Sequence, residues 1–284
     1  MLDSKNEPSF CHPVFTAQEK PVAGQSKLVA FSTTRQAPVL CSSNHSTSVK
    51  AVEIAEQNDF ASFNLGLHVN DIDEHVLANR QQLQHYLPSN TKIQWLNQVH
   101  GNGVAEVKEV SSHALTADAS YTRERNIALA IMTADCLPIL IHSEDRQEIA
   151  AIHGGWRCLS ANIIAKTLAK FSCENQKLSA WLGPCIGARA FEVGKDVFQA
   201  FIEQDTRHNN AFCERAQSEY ANDSEEVSAK YLADLHQIAI NQLQALGVYN
   251  IAQTTHCTYS LANQYYSYRR NAKTGRMATI IALA

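Results

Sequence analysis

The chain has 284 residues, of which 45% are hydrophobic and 18% are charged, and its formal net charge at pH 7 is −4. This composition is typical of globular proteins, and the length suits one large domain or two modest ones. Proteins that bind nucleic acids or membrane surfaces in general need a basic face. Because this chain has a negative net charge, we expect neither nucleic acid nor a membrane surface as a partner. No apolar run approaches the ~20 residues that span a bilayer, and the N-terminal residues lack the layout of a secretory signal. We therefore expect a soluble protein of the cytoplasm.

Eight cysteines are scattered along the sequence, and no two of them form a CxxC pair. Disulfides are uncommon in cytoplasmic proteins, and a chain of this length can build a core without them. We therefore expect free thiols, and the cysteine pattern does not support a zinc ribbon or a thioredoxin-like site.

Residues 1–25 are polar and contain prolines, which predicts a flexible N-terminal arm before a folded domain at 26–284. In that domain, short apolar runs bounded by turn residues predict the strands. The run at 104–110 is expected to pair with the run at 93–99. Strands are predicted at 27–34, 93–99, 104–110, 127–132, 137–141, 149–152, 178–182 and 278–284.

Helices are predicted where apolar residues recur at a spacing of three and four, with Asp73 as the cap of the first and Gly247 as the stop of the last. Segments 36–50 and 205–226 are polar and are expected to be surface loops. Strands and helices alternate irregularly, so the predicted fold class is α+β, a single domain with mixed β-sheets flanked by helices. The predicted helices are 73–86, 159–171, 195–201 and 230–246.

Polar groups follow the predicted core strands. Asp135 and Cys136 lie between the runs at 127–132 and 137–141, and His153 follows the run at 149–152. Burying such groups is costly unless they are paired or bind a ligand. The candidates for chemistry are these residues together with His68 and His100; His100 and His153 each precede a glycine, which lets the backbone approach a ligand closely.

One cysteine and two histidines are a reasonable set of zinc ligands, with a fourth position open to water or substrate. The separations of His100, Cys136 and His153 match no local metal motif. The same residues also permit a nucleophilic Cys136 with either histidine as base, and an inert buried thiol is the commonest fate of a cysteine. Spacing alone leaves the three interpretations open.

Arginines near aromatic residues predict an anion site. Arg157 follows Trp156, and this pair could hold a planar, anionic substrate. Arg269 and Arg270 directly follow a Tyr-Tyr-Ser-Tyr run, which is typical of an anion and ring-stacking platform. Arg35 and Arg276 are further candidates, because they lie in similar turn-like contexts.

Five ordered motifs resemble those of the YfiH-like family, also called the laccase-domain or DUF152 family: WLNQVHGNGV, TADCLPIL, HGGWR, GPCIG…FEVG and YYSYRRNAKTGRMATIIAL. The resemblance runs from about Val29 to the C-terminus and makes residues 26–284 the catalytic domain. It implies an α+β fold and a zinc ion held by His100, Cys136 and His153. It also implies purine nucleoside phosphorylase activity on adenosine, inosine and methylthioadenosine, with adenosine deaminase activity. Some members are described instead as polyphenol oxidases or peptidoglycan editing factors.

The chain departs from the family pattern near the ligands. The family usually has HAGWRG, whereas here Gly154 replaces the alanine and Cys158 replaces the last glycine. The three zinc ligands implied by the resemblance are intact, so the departures affect the expected substrate preference more than the expected metal site.

The leading hypothesis is a zinc-dependent purine nucleoside phosphorylase, with purine nucleosides and phosphate as its partners. Arginines suit phosphate, and the candidates are Arg35 and one of Arg269 or Arg270, with His68 binding ribose or phosphate. Zinc would orient the substrate or activate a water, and copper is the second choice of metal. Asp135 is a candidate catalytic group or a partner that orients a ligand histidine. The oligomeric state stays open.

The sequence leaves two other classes of function open. The first is a Cys136-dependent hydrolase or amidase that edits peptidoglycan precursors without a metal, and the second is a non-catalytic nucleotide-binding module. A multicopper oxidase ranks low, because one mixed Cys/His site cannot house the several coppers that four-electron oxygen reduction requires.

Overall fold

The computed structural model describes residues 10–11, 27–38, 59–60, 62–215 and 229–284. Most of the predicted arm at 1–25 and of the predicted loop at 36–50 lies outside the described residues. No described helix is long and apolar enough to cross a bilayer. The strands are β1 Phe10–Cys11, β2 Leu28–Thr33, β3 Lys92–Gln94, β4 Leu96–Asn97, β5 Val104–Glu106, β6 Leu115–Thr116, β7 Ala119–Thr122, β8 Ile127–Thr133, β9 Leu137–Ser143, β10 Ile149–Gly154, β11 Leu178–Leu182, β12 Glu192–Gly194, β13 Phe212–Glu214, β14 Lys230–Ala233, β15 Asn250–Gln253 and β16 Met277–Leu283.

In the described part of the chain, five short α-helices connect or cover these strands. Two 3₁₀-helices, Asn175–Lys177 and Thr206–Ala211, complete the regular structure of the described residues. The α-helices are α1 Asp73–Gln84, α2 Trp156–Ser160, α3 Ile163–Leu168, α4 Lys195–Ile202 and α5 Leu235–Ala245.

Two large sheets form the centre of the fold. One has the strand order β1-β2-β16-β8-β3 and the other β15-β11-β9-β10-β7-β5. Each sheet is mixed: β8 pairs antiparallel with β16 and parallel with β3, and β11 pairs antiparallel with β9 and parallel with β15. Two small sheets, β12-β14-β13 and β4-β6, lie beside them. The predicted α+β fold with mixed sheets is confirmed.

Three apolar layers and a small cluster around Tyr265 and Tyr266 form the core of the described residues. Leu129 and Ile131 of β8 pack with Leu140 of β9 and Trp181 of β11 between the two sheets. The outer face of the five-stranded sheet is covered by α1, and the outer face of the six-stranded sheet by α3 and α5. Because both faces of β8, β9 and β10 are covered, every residue of these strands is buried, which explains their continuous apolar runs.

Three helix predictions need correction. Asp73 is the first residue of α1 and Ile72 takes the cap position, so the predicted side-chain cap is wrong. The predicted helix 159–171 is two helices, because Asn162 adopts a left-handed conformation (φ 61°) that asparagine tolerates better than most residues. The predicted helix 230–246 begins as strand β14, and Asp234 caps α5 by accepting the backbone N–H of Gln237 at 3.1 Å.

The strand pairing differs from the sequence expectation in one place that matters for the site. Strand β5 was expected beside residues 93–99, but it pairs with β7. More importantly, the consecutive strands β8 and β9 belong to different sheets. The chain crosses between the sheets at 134–136, and Asp135 has a φ of 98° at that crossing. Residues 134–136 therefore lie at the open end of the sandwich.

Candidate active site

Three predicted residues from separate connections meet at this end of the sandwich. His100 lies on the loop after β4, Cys136 lies on the crossing between β8 and β9, and His153 lies near the end of β10. Their potential ligand atoms are all within 4.8 Å of one another. The two imidazole rings are 4.8 Å apart edge to face, and the Cys136 thiol hydrogen-bonds with both. The tertiary structure thus brings together the three residues that the sequence analysis grouped.

Gly155 leaves space beside these three donors. A Cβ at this position would lie 3.2 Å from Sγ of Cys136, 3.6 Å from Cδ2 of His100 and 3.7 Å from Cε1 of His153. Any other side chain would therefore fill the space that the three residues surround. One thiol and two imidazoles are a donor set that proteins use for transition metals, and zinc in particular. The residues present fit a metal ion.

Electrostatics favour the metal-binding form of the cysteine. Burial alone would raise the pKa of Cys136, but the charge of His153 and hydrogen bonds from His100 and His153 lower it to about 6. Burial alone would lower the pKa of His153, but the charge of Cys136 and the hydrogen bond to Asp118 raise it well above its usual range. At neutral pH the metal-free pair is therefore a thiolate beside an imidazolium, and the thiolate is the form that binds metals.

Asp118 is a site residue that the sequence analysis missed. Its carboxylate lies 2.9 Å from Nδ1 of His153 and accepts the backbone N–H groups of His100 at 2.9 Å and Gly101 at 2.7 Å. Burial alone would raise the pKa of Asp118, but these hydrogen bonds lower it overall. The available signal in the sequence is an ionisable residue inside the otherwise uncharged segment 114–122.

Asp135 lines the cavity, and its carboxylate is bound by the C-terminal loops. Its carboxylate accepts hydrogen bonds from Thr258 Oγ1 at 2.6 Å, Ser267 Oγ at 3.0 Å and the backbone N–H of Arg269 at 2.7 Å. These three donors belong to the C-terminal loops, so Asp135 fixes the position of Arg269. The contact that orients His153 comes from Asp118 instead.

A cavity of about 480 Å³ opens onto the cluster. This volume suits a small-molecule ligand. One part of its wall is apolar and aromatic, formed by Met132, Ile186, Phe191, Leu235 and Trp156 among others. The other part is basic, formed by His68, Arg157, Arg269 and Arg276 in addition to the histidines of the cluster.

The basic groups are held by aromatic and backbone contacts. Arg269 lies over the ring of Phe191 at 5.5 Å, and Arg157 lies over the ring of Trp156 at 4.4 Å. Arg276 donates to the carbonyls of Thr274 and Gly275, both at 3.0 Å, and its burial lowers its pKa. Since each guanidinium has five N–H groups, these contacts leave donors for an anion.

His68 is the fourth basic residue of the wall. Burial lowers its pKa, and the positive charges of Arg276 and Arg80 lower it further. The imidazole is therefore neutral at pH 7 and can donate one hydrogen bond to a ligand and accept another.

Two predicted substrate-binding arginines do not line the cavity. Arg270 donates to the carbonyls of Thr258 and Tyr259, both at 2.8 Å, and of Tyr265 at 2.6 Å. Arg35 donates to the carbonyl of Ala262 at 2.7 Å. Both guanidinium groups thus stabilise the C-terminal loops, which carry Arg269, rather than facing the cavity.

Cys158 touches the cluster from helix α2. Its buried sulfur lies 3.8 Å from Nδ1 of His153, the same nitrogen that Asp118 contacts. Burial raises the pKa of Cys158, so it is a thiol at neutral pH. The second group of potential metal ligands among the described residues, formed by Asp118, His153 and Cys158, shares His153 with the first.

The fold and this arrangement of donors define a YfiH-like protein with a candidate metal site at the base of a basic cavity. Residues 33–284 match the model of the family described as multi-copper polyphenol oxidoreductase laccase, and the chain belongs to this family.

Relatives and solved structures agree with this assignment. The chain is 40% identical over 226 residues to the purine nucleoside phosphorylase YfiH of Escherichia coli (strain K12), which covers 79% of this chain and 87% of that protein. It is 38% identical over 227 residues to a purine nucleoside phosphorylase of Pseudomonas aeruginosa, with 80% and 88% covered. The crystal structure of a DUF152 protein from Neisseria meningitidis is similar over 97% of this chain and 99% of that chain, with a TM-score of 0.78 and 34% identity. The resemblance seen in the motifs is confirmed.

Proposed function

We propose that this protein is a purine nucleoside phosphorylase that acts on adenosine, inosine and methylthioadenosine and also deaminates adenosine. The observation that carries the proposal is that one cavity contains both the His100–Cys136–His153 cluster and the basic wall of Arg269, Arg276 and His68. The Escherichia coli and Pseudomonas aeruginosa relatives, both named purine nucleoside phosphorylases, are 40% and 38% identical over most of the chain, which supports the same assignment.

Phosphorolysis requires an anion to be held against the sugar. A phosphate oxygen bonds to C1′ while the bond from C1′ to the purine nitrogen breaks, through a sugar with cationic character. We assign phosphate binding to Arg269 and Arg276, because a guanidinium group can donate two parallel hydrogen bonds to two oxygens of one phosphate. Asp135 also lines the cavity, but its carboxylate is engaged by three hydrogen bonds.

The apolar wall suits the rest of the nucleoside. Phe191 and Trp156 offer ring faces against which a purine can stack. Neutral His68 is placed to hydrogen-bond ribose or phosphate. These contacts would align the bond to be broken with the bound phosphate, and such alignment is a large part of the catalysis of a two-substrate reaction.

His100, Cys136 and His153 would hold a zinc ion at the base of the cavity. Bound zinc supplies a Lewis acid that lowers the pKa of water, which the deamination of adenosine needs. We favour zinc over copper because the described ligand groups share His153, so they do not form the separate copper sites of a multicopper oxidase. The described cysteines are free thiols, which fits our proposal that the protein acts in the reducing cytoplasm.

The second candidate is a metal-independent hydrolase or amidase that edits peptidoglycan precursors. The observation in its favour is the lowered pKa of Cys136, about 6, beside two imidazoles, because a thiolate next to a histidine is a competent nucleophile. A chelator separates the two functions. Activity that is lost on chelation and restored by zinc supports the phosphorylase, whereas activity that resists chelation and is lost with iodoacetamide supports the hydrolase.

The direct test is an assay of adenosine with and without inorganic phosphate, in protein whose metal content is known from elemental analysis. The expected products are adenine and ribose 1-phosphate only when phosphate is present, and inosine in either case. Arg269→Ala should reduce the phosphate-dependent product, and Arg207→Ala, at an exposed arginine paired with Asp205, is the matched control. Tight purine binding without turnover would instead support a nucleotide-binding module.

A further inference from the structure

The carboxylate of Asp118 contacts both histidines of the cluster. Besides Nδ1 of His153, it is engaged by three consecutive backbone N–H groups, from Val99 at 3.2 Å, His100 at 2.9 Å and Gly101 at 2.7 Å. The backbone of Asp118 adds a further link, because its carbonyl accepts the N–H of His153 at 2.8 Å. Asp118 is completely buried.

These contacts hold a loop conformation that is otherwise unfavourable. His100 has a φ of 58°, in the left-handed region where the Cβ of a non-glycine residue lies too close to the following carbonyl oxygen. Three successive N–H groups pointing at one carboxylate form an anion-binding nest. The negative charge of Asp118 therefore stabilises the turn that presents the His100 ring to Cys136 and His153.

The same carboxylate selects the form of His153. A hydrogen bond from Nδ1–H to a carboxylate leaves Nε2 as the nitrogen for a metal, and it fixes the orientation of the ring. The Asp118 carboxylate thus sets the backbone conformation of His100 and the tautomer of His153. This coupling distinguishes Asp118 from a carboxylate that orients a single histidine.

We propose that Asp118 is the positioning residue of the metal centre, which holds His100 and His153 together in the geometry that binds metal. The effect of Asp118 on turnover rests on the proposed phosphorylase function. Its effect on metal affinity does not rest on that function. An experiment can therefore refute the phosphorylase function or the positioning role without refuting the other.

The test compares zinc affinity in the wild-type protein and in Asp118→Asn, by competition with a chromophoric chelator. Asparagine keeps the size of the side chain but has one acceptor oxygen, and its NH₂ group must face at least one of the four N–H donors. Zinc affinity should fall by about 10–100-fold, the usual effect of removing the partner of a ligand histidine. The absorption spectrum of the cobalt-substituted protein should also change, because the ligand geometry changes.

A control variant separates positioning from general loss of stability. Glu148→Gln alters another buried carboxylate, next to the opposite end of β10, which accepts hydrogen bonds from Tyr121 and Ser172. This variant should keep the zinc affinity and cobalt spectrum of the wild type, even where urea unfolding shows reduced stability.

A measurement on the zinc-loaded wild-type protein covers the case in which Asp118→Asn does not fold. Long-range ¹H–¹⁵N correlation should show His153 protonated at Nδ1, and protonation at Nε2 would overturn the proposal. A folded Asp118→Asn variant with wild-type zinc affinity and cobalt spectrum would also overturn it. A wild-type protein without phosphorolysis, combined with weak zinc binding in Asp118→Asn, would refute the phosphorylase function and leave the positioning role intact.

Discussion

Gly155 offers the sharpest test of the metal centre, because one added methyl group separates metal binding from stability. In Gly155→Ala the new Cβ would lie 3.2 Å from Sγ of Cys136 and within 3.7 Å of atoms of both histidines. Carbon atoms rest at about 3.5–4.0 Å from their neighbours, so the methyl group occupies the space between the donors. We expect zinc affinity to fall at least tenfold, which corresponds to ~1.4 kcal/mol.

The stability of the same variant should change little. Gly155 has φ −64° and ψ 153°, a conformation that alanine adopts without strain, and replacing glycine there stabilises by about 0.4–1 kcal/mol through the unfolded chain. Gly155 is also the N-cap of α2, and alanine is a poorer cap than glycine by a similar amount. The two effects nearly cancel, and the Cys136 side chain needs to move by only a few tenths of an ångström to admit the methyl group, so urea unfolding of the metal-free protein should agree with the wild type to within about 1 kcal/mol.

The assay is chelator competition for zinc, with urea unfolding of the metal-free protein alongside. Gly103→Ala is the matched control, because a Cβ at Gly103 would meet nothing closer than Ala117 Cα at 3.7 Å. This control should bind zinc like the wild type. Wild-type zinc affinity in a folded Gly155→Ala variant would refute the assignment of the metal to this space.

Three further predictions follow from the site. Cys136→Ala should abolish zinc binding and phosphorolysis together, and retained phosphorolysis would refute the metal assignment. Arg269→Ala and Arg276→Ala should each raise the KM for phosphate about tenfold or more, because a hydrogen bond to a charged group contributes ~1.5–3 kcal/mol. Arg270→Ala should instead lower the free energy of unfolding by about 3 kcal/mol or more, because it removes three hydrogen bonds from a charged group to carbonyls, two of them partly buried. Since the pKa of His153 is raised and that of Cys136 is lowered to about 6, zinc binding at pH 7 should release the proton of His153, and the release should increase below pH 6, where Cys136 also carries a proton. Calorimetry in buffers of different ionisation enthalpy measures this release, and a zinc affinity that does not change between about pH 5 and 8 would contradict it.

The sequence by itself determined the strands of the core and the identity of the proposed metal ligands. The runs at 127–132, 137–141 and 149–152 are continuous because β8, β9 and β10 are covered on both faces. The motifs around His100, Cys136 and His153 identified the family, which the comparisons confirm. Local patterns predict the core strands and the family, because continuous apolar runs and short motifs are made of residues that are adjacent in sequence.

Only the tertiary structure decided which polar side chains face the cavity or its ligand histidines and which stabilise the surrounding loops. Arg269 and Arg270 are adjacent in sequence, but the turn directs the first to the cavity and the second to backbone carbonyls. Asp118 and Asp135 look equivalent as buried carboxylates, yet one contacts His153 and the other fixes the loop of Arg269. Both differences come from hydrogen bonds between distant parts of the chain. The crossing of the chain between two sheets places Asp135 against the C-terminal loops, and the pairing of β7 with β10 places Asp118 against His153. A local sequence pattern does not predict either of these long-range contacts.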